Sequence, residues 1–576
     1  MKKVTNSQIC LGLILLLAFL VRVWGVGFGL PAKHFIDEEG QIYGALYAAY
    51  SRLQPVRFMY ASFVPYLLLA EYGTVFIIGK ISGIYLAPFD FLVAYIRDPS
   101  NLFLLGRLTM VVAGTLSVWL IWKIGKKFYS KTSGLVAAGF LAIIFLHVKE
   151  SHYVKQDVIS TLFILMSFYL ALLSVETKRL QQYLFTGVTL ALAVSAKYQT
   201  LLIAPVLFIH YYLTRKKPSL SQSVVLGVGF VLTMLLLNPY FVLAPKKVID
   251  GTLAEFAIAK TAYPELLQGH PVWWWFVFQH LPQGLGTVLF GASIWGSLVC
   301  VGRGIKNRKY LLIPLLPVVF LLTVDQWSQF PSARYAVMLL PFLALAAAIG
   351  LEFIFSFLPR HKARSLFMFG AILLVSMESG IRDVKFDYLL TRPDTRYLSQ
   401  QWIESHIPLG TKILVESTVR PEYGANVNTP LTLSTSANDK RLNEAQSRGE
   451  SGLYLQALKK ANLGKVGYDI VATGRVDVLL DVFTSEKTLM ENADYYVSSE
   501  VDYLVLSSWS VKPDMKPEFM QSVGRHYDLI AKFRPTYEFP DDPHLVKMDY
   551  AVLDRVSFWG KPVIFGPVID IYKKRT

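Results

Sequence analysis

Residues 60–84 read YASFVPYLLLAEYGTVFIIGKISGI, and how this stretch is read decides how the whole chain is threaded. It is about as long as the ~20 apolar residues that carry a helix across a bilayer. It also contains Glu71 and Lys80. Counted as a span, it inverts the sidedness of everything after it. The basic clusters arbitrate. With 60–84 left out, Lys123/Lys126/Lys127/Lys131, Lys178/Arg179, Arg215/Lys216/Lys217, Arg303/Lys306/Arg308/Lys309 and Arg360/Lys362/Arg364 all fall in the cytoplasm. With it in, all of them fall outside, against the positive-inside rule. The segment is therefore expected to lie in the outer interface without crossing.

Outward from there, apolar runs of spanning length lie near 8–26, 103–122, 133–148, 158–175, 183–197, 199–214, 221–238, 284–302, 310–324, 335–356 and 365–380. That makes about eleven spans. Of the 576 residues, 53% are hydrophobic and 17% charged, with a mean hydropathy of +0.41, which is the composition of a polytopic membrane protein. The net charge of +16 sits in short clusters between apolar runs, which argues against a nucleic-acid partner. Cys10 and Cys300 lie in apolar segments and predict no disulfide framework. Lys2 and Lys3 ahead of the first run, with no small-residue cleavage site after it, read as an uncleaved signal anchor. Residues 1–384 are expected to form a transmembrane domain with a first outer loop at 27–102. Residues 385–576 are expected to form an extracytoplasmic α/β domain. In it, a helix over 389–407 precedes strands at 412–416, 503–507, 527–533 and 563–572.

This threading puts two acidic stretches on one outer face. The first is Lys33-His34-Phe35-Ile36-Asp37-Glu38-Glu39, and the second runs from His147 to Asp157. Charge at the edge of a bilayer is costly and commonly functional. Asp37 is either the cap of a following helix or a general base at the membrane surface. Asp157 caps the next span or works with its company: His147, Lys149, His152, Tyr153 and Lys155. Such cations either snorkel to the interface or hold a phosphate. Arg334, beside Tyr335, is an interfacial anchor or a fork for a phosphate. His270-Pro271-Val272-Trp273-Trp274-Trp275 reads as an aromatic belt, with stacking on a sugar by Trp274 as the other role. No Gly-rich P-loop, HExxH or paired CxxC site appears.

The ordered set His34-Phe35-Ile36-Asp37-Glu38, Ser151-His152-Tyr153-Val154-Lys155-Gln156-Asp157, Ala196-Lys197-Tyr198, Asn238-Pro239-Tyr240 and Arg334-Tyr335 with Leu340-Pro341-Phe342 resembles the GT-C fold glycosyltransferases. The likeness is to the family 39 type: dolichyl-phosphate-mannose protein mannosyltransferases and the related aminoarabinose transferases. The resemblance implies an enzyme that moves a sugar, a hexose such as mannose, from a polyprenyl- or dolichyl-phosphate carrier. The acceptor would be a hydroxyl on a protein, lipid or glycan outside the cytoplasm, at the cell membrane, and the anomeric centre would be inverted. Asp37 would be the general base. Glu38 would contact the acceptor or a divalent metal, and Asp157 would position the acceptor. Arg334, His152, Lys155 and Lys197 would bind the donor phosphate, and Glu39, Tyr153 and Trp274 the acceptor or sugar. No cofactor is called for, and a divalent metal stays open. His152 stands where many family members carry Arg, and the outer domain is C-terminal instead of inside a central loop. A transporter or lipid flippase is the rival reading, but the acids gather at one surface and no internal repeat is visible.

Overall fold

The computed structural model describes residues 6–32, 36–58, 60–213, 217–261, 267, 269–359, 362–416, 431, 434, 439, 443, 453–473, 494–508, 517–536 and 563–575. The side chain of Asp37 lies outside the described residues. The chain divides into two compact units. Met1–Val26, Tyr47–Leu69 and Gly106–Val384 form the first, and Gly27–Leu46, Ala70–Leu105 and Lys385–Thr576 the second.

Among the described residues, nine helices are long and apolar enough to cross a membrane. Eight match expected runs: Asn6–Val23, Ser100–Tyr129, Gln156–Thr177, Leu220–Leu237, Thr287–Gly304, Arg308–Trp327, Ala333–Ser356 and Arg364–Leu390. The ninth is Phe63–Ile81, an unbroken 19-residue helix with the spanning length that the sequence also shows. Its charges do not prevent this. Glu71 is half-buried, and Lys80 falls in the last turn, where a long side chain can reach polar surroundings. Three expected spans come out short. The run 133–148 breaks into Lys131–Ala142 and Phe145–Glu150. The pair 183–197 and 199–214 forms Leu180–Ala196 and Tyr198–Leu213, split at Lys197.

The first unit packs around Leu340–Ser356, whose residues from Leu340 to Leu351 are all buried. A helix apolar on every side belongs at the centre of a bundle. Leu180–Ala196 and Leu220–Leu237 meet through glycine. A Cβ on Gly187 would fall 2.1 Å from the Leu226 carbonyl oxygen, so only hydrogen fits there.

The second unit carries a five-stranded sheet of β1 (Lys412–Glu416), β2 (Asp469–Thr473), β3 (Tyr503–Ser508), β4 (Tyr527–Phe533) and β5 (Val568–Lys574), in the order β2-β1-β3-β5-β4. β1 runs parallel to β2 and β3, while β5 is antiparallel to β3 and β4. Alternation sorts the side chains to two faces. Ile413, Val415, Tyr503, Val505, Ile569 and Ile571 pack with Ile403 and Ile407. Leu414, Leu504 and Leu506 pack with Phe519 and Val523 from Pro517–His526. The expected helix over 389–407 divides. Lys362–Leu390 ends, and Thr395–His406 restarts on Asp394, whose carboxylate accepts from Arg396 N at 2.9 Å.

Candidate active site

The site begins at a helix that stops early. Lys131–Ala142 ends after 12 residues, and the carbonyls of its last turn need outside donors. Arg22, fully buried on Asn6–Val23, supplies them. Its Nη1 donates to Ala142 O and to Ala18 O, both at 2.8 Å, and Nη2 donates to Leu141 O at 3.1 Å. Nη2 also lies 2.9 Å from His147 Nδ1. A guanidinium only donates, so Nδ1 accepts and the ring proton sits on Nε2. Burial, with Arg22 beside it, holds the His147 pKa well below the usual value and keeps the ring neutral. Gly114 makes the room: a Cβ there would fall 2.6 Å from Ser151 Oγ and 2.8 Å from Arg22 Nε.

From this anchor the chain runs through Phe145–Glu150, whose first amide donates to Ser379 Oγ at 2.8 Å. It then turns into Gln156–Thr177. Ser151 Oγ donates to His147 O at 2.7 Å. The His152 ring lies 3.0 Å from both Val148 O and Trp24 O, and burial pushes its pKa down to about 4. A neutral ring can donate to only one of these two carbonyls, so His152 ties the turn to main chain through one of them.

Asp157, in the first turn of Gln156–Thr177, is 2% exposed and pairs with Lys197. Lys197 sits in the break after Leu180–Ala196, at φ −152° and ψ 114°, outside helical geometry. Its Nζ lies 4.8 Å from the centre of the Tyr335 ring. Arg334 and Lys155 are within electrostatic reach of Asp157, and Arg334 and Glu150 of Lys197. Lys155 Nζ is 5.5 Å from the Tyr153 ring, and Lys149 pairs with Glu150 at 3.2 Å. Lys149, Lys155, Lys197 and Arg334 outnumber by one the carboxylates Glu150, Asp157 and Glu255, the last within electrostatic reach of Arg334, so the cluster is electropositive. Asp157 Oδ2 and Glu150 Oε2 are buried with no hydrogen-bond partner among the described residues. A buried polar atom left so costs about 1–3 kcal/mol, which marks both as points where a polar ligand would add bonds.

Asp157, Lys197, Arg334, Lys155 and Tyr153 thus meet in one cluster. Glu38, fully buried, and Glu39, 9% exposed, belong to the helix Ile36–Tyr50, where it runs through the second unit. Trp274 stacks on His270 at 4.0 Å and packs edge-on against Trp275. Sequence reasoning gave no site role to Glu150, and read Tyr335 only as an anchor. Their signal was adjacency, since Glu150 follows Lys149 and Tyr335 follows Arg334. Among the described residues, no three His, Cys, Asp or Glu side chains gather in a way that could hold a metal ion.

Residues 93–242, which hold Asp157, Lys155 and Lys197, match the model of the dolichyl-phosphate-mannose-protein mannosyltransferase family. No curated protein matches the chain. Among solved structures, the Archaeoglobus fulgidus oligosaccharyltransferase tethered with an acceptor peptide is similar over 99% of this chain and 88% of that one, at 12% identity and a TM-score of 0.52. ArnT from Cupriavidus metallidurans, bound to undecaprenyl phosphate, is similar over 91% of this chain and 95% of that one, at 11% identity and a TM-score of 0.47. At such identities the likeness is one of architecture, and the architecture is the GT-C fold of membrane glycosyltransferases.

Proposed function

We propose that this protein transfers a sugar from a polyprenyl-phosphate-linked donor to an acceptor hydroxyl at the outer face of the membrane. The observation that carries the reading is the electropositive cluster around Asp157, in which buried Lys155 and Lys197, inside the stretch that matches the mannosyltransferase family model, are joined by half-buried Arg334. The sugar is a hexose such as mannose. The acceptor is a hydroxyl of a protein, lipid or glycan.

Lys197, Arg334 and Lys155 hold the donor phosphate. Asp157 pairs with Lys197 in a buried place and offers Oδ2 to the acceptor. Asp37 removes the acceptor proton as the hydroxyl oxygen attacks the anomeric carbon. The bond from that carbon to the phosphate oxygen breaks, and its electrons leave with the lipid phosphate. The surrounding cations stabilise the departing charge, which is the electrostatic contribution to rate. One displacement with no covalent carboxylate intermediate inverts the anomeric centre. Glu38 and Glu39 support the acceptor side, and Tyr153 and Trp274 offer aromatic surface to the sugar. Residues 1–384 carry the transfer, and residues 385–576 form an outer domain on the same side of the membrane.

The test is reconstitution with a radiolabelled polyprenyl-phosphate hexose and candidate acceptors. The wild type is expected to transfer label and Asp37→Asn to lose nearly all of it. Undiminished transfer by Asp37→Asn would remove that residue from the mechanism, and transfer by Lys197→Ala with an unchanged donor KM would remove the phosphate cluster.

A further inference from the structure

A second cationic region lies at the other end of Gln156–Thr177. That helix has 22 residues, so its ends are about 33 Å apart and the region is separate from the Asp157 cluster. Lys178, Lys217 and Arg308 line a cavity of about 800 Å³ there. Among the described residues, no acidic side chain lines it. The acid closest in sequence, Glu176, is bound to Lys127 at 3.2 Å.

The walls are built from the ends of several membrane helices. Lys178 terminates Gln156–Thr177 in a left-handed conformation (φ 56°, ψ 19°), a position where glycine is usual. Its carbonyl accepts from Gln222 Nε2 at 3.0 Å. Ser219 and Gln222 cap each other's amides at the start of Leu220–Leu237, so that helix end is already satisfied and recognition falls to the three cations. Tyr183 is buried in the lining and Tyr212 is exposed in it, as suits the boundary between lipid and water. The two helices that start beside the cavity begin with exposed leucines, Leu180 at 48% and Leu220 at 82%.

Phosphate chemistry fits three cations with no acid among them, and the adjoining leucines favour a phosphate that carries a chain. The geometry points to a binding site for the phosphate headgroup of an anionic bilayer lipid, gripped by Lys178, Lys217 and Arg308, with its acyl chain along Leu180 and Leu220. The site stands independently of the transfer reaction.

The test is native mass spectrometry of the full-length protein released from nanodiscs of mixed phosphatidylglycerol and phosphatidylcholine. The wild type is expected to retain phosphatidylglycerol preferentially. Loss of each cation, in Lys178→Gln, Lys217→Gln and Arg308→Gln, is expected to weaken retention roughly fivefold. Wild-type protein that shows no preference between the two lipids overturns the proposal without recourse to any variant. So does a triple variant that melts like wild type in detergent and keeps the lipid. Equal protection by inorganic phosphate in a thermal-shift assay would make this a free-phosphate site and overturn the lipid assignment.

Discussion

The helix Gln156–Thr177 joins two regions that treat charge in opposite ways. At its start, Asp157, Lys197 and Lys155 are at most 7% exposed, and Asp157 pairs with Lys197. At its end, Lys178, Lys217 and Arg308 are exposed and face a cavity that no acid lines among the described residues. Removing a charge from water costs several kcal/mol per ion, so the first region persists only because each charge holds another in place. Exposed cations need no such partner and contribute little to the fold. The first region is thus fixed by mutual dependence, and the second is free to meet an outside anion.

The sharpest way to break this contrast is to remove one member of the buried pair. Asp157→Ala leaves the Lys197 ammonium buried near Arg334 and Lys155. It is expected to lower stability by about 3–5 kcal/mol, read as a fall in the thermal midpoint in detergent. Replacing both partners, as Asp157→Leu with Lys197→Met, is expected to recover most of that stability and none of the transfer. If the single variant melts like wild type, the pair is not interdependent and the contrast fails. Arg22→Lys comes next. A single ammonium cannot span Leu141 O, Ala142 O and His147 together, and each buried carbonyl left unpaired costs about 1–3 kcal/mol. The expected loss is about 2 kcal/mol, with transfer reduced roughly tenfold because the turn 151–155 is no longer held. Wild-type stability in Arg22→Lys would show that the guanidinium fork is dispensable.

These two regions were not equally legible in the sequence. Most membrane helices follow from hydrophobic runs, and β1, β3 and β4 from short runs that alternate or stay apolar. β2 was missed, although Asp469–Thr473 is as long as β1 and holds Ile470 and Val471. The segment 60–84 was judged by charge alone. Contacts such as that of Tyr72 with the Leu102 carbonyl, 30 residues on, come from a tertiary neighbourhood, and no count of basic loops contains them. Asp157, Lys155, Lys197 and Arg334 could be named as candidates because charges beside apolar runs stand out. Which of them pair could not be read, since Asp157 and Lys197 are 40 residues apart. His152 was named for its place beside Lys155, and the sequence does not show that its ring meets the Val148 and Trp24 carbonyls. The cavity at Lys178 was read only as a topology marker, because its residues come from separate helix ends.

Arg334→Lys sharpens the contrast from the side of the ligand. Arg334 is half-buried beside Tyr335, and a planar fork can hold two oxygens of one phosphate where an ammonium holds them as a point charge. The charge balance of the cluster is kept, so stability is expected to change by less than about 1 kcal/mol. The donor KM is expected to rise roughly tenfold, with a smaller change in kcat. A loss confined to kcat would place Arg334 at the transition state and not at the donor phosphate in the ground state.

The smallest expected change tests the opposite end of the helix, and it should carry the opposite sign. Lys178 holds a left-handed conformation that costs an L-residue with a Cβ roughly 1–2 kcal/mol, while glycine adopts it freely. Glycine also loses more freedom on folding, by about 0.5–1 kcal/mol, so Lys178→Gly is expected to gain only about 0.5 kcal/mol in stability. The same change removes one cation from the cavity and should weaken retention of phosphatidylglycerol roughly fivefold. Lys178→Ala separates the two effects, because it removes the charge and keeps the strained Cβ. It should lose the lipid equally and gain no stability. If Lys178→Gly instead lowered the thermal midpoint as Asp157→Ala is expected to, the lysine would be part of the scaffold, and the two ends of Gln156–Thr177 would treat charge alike.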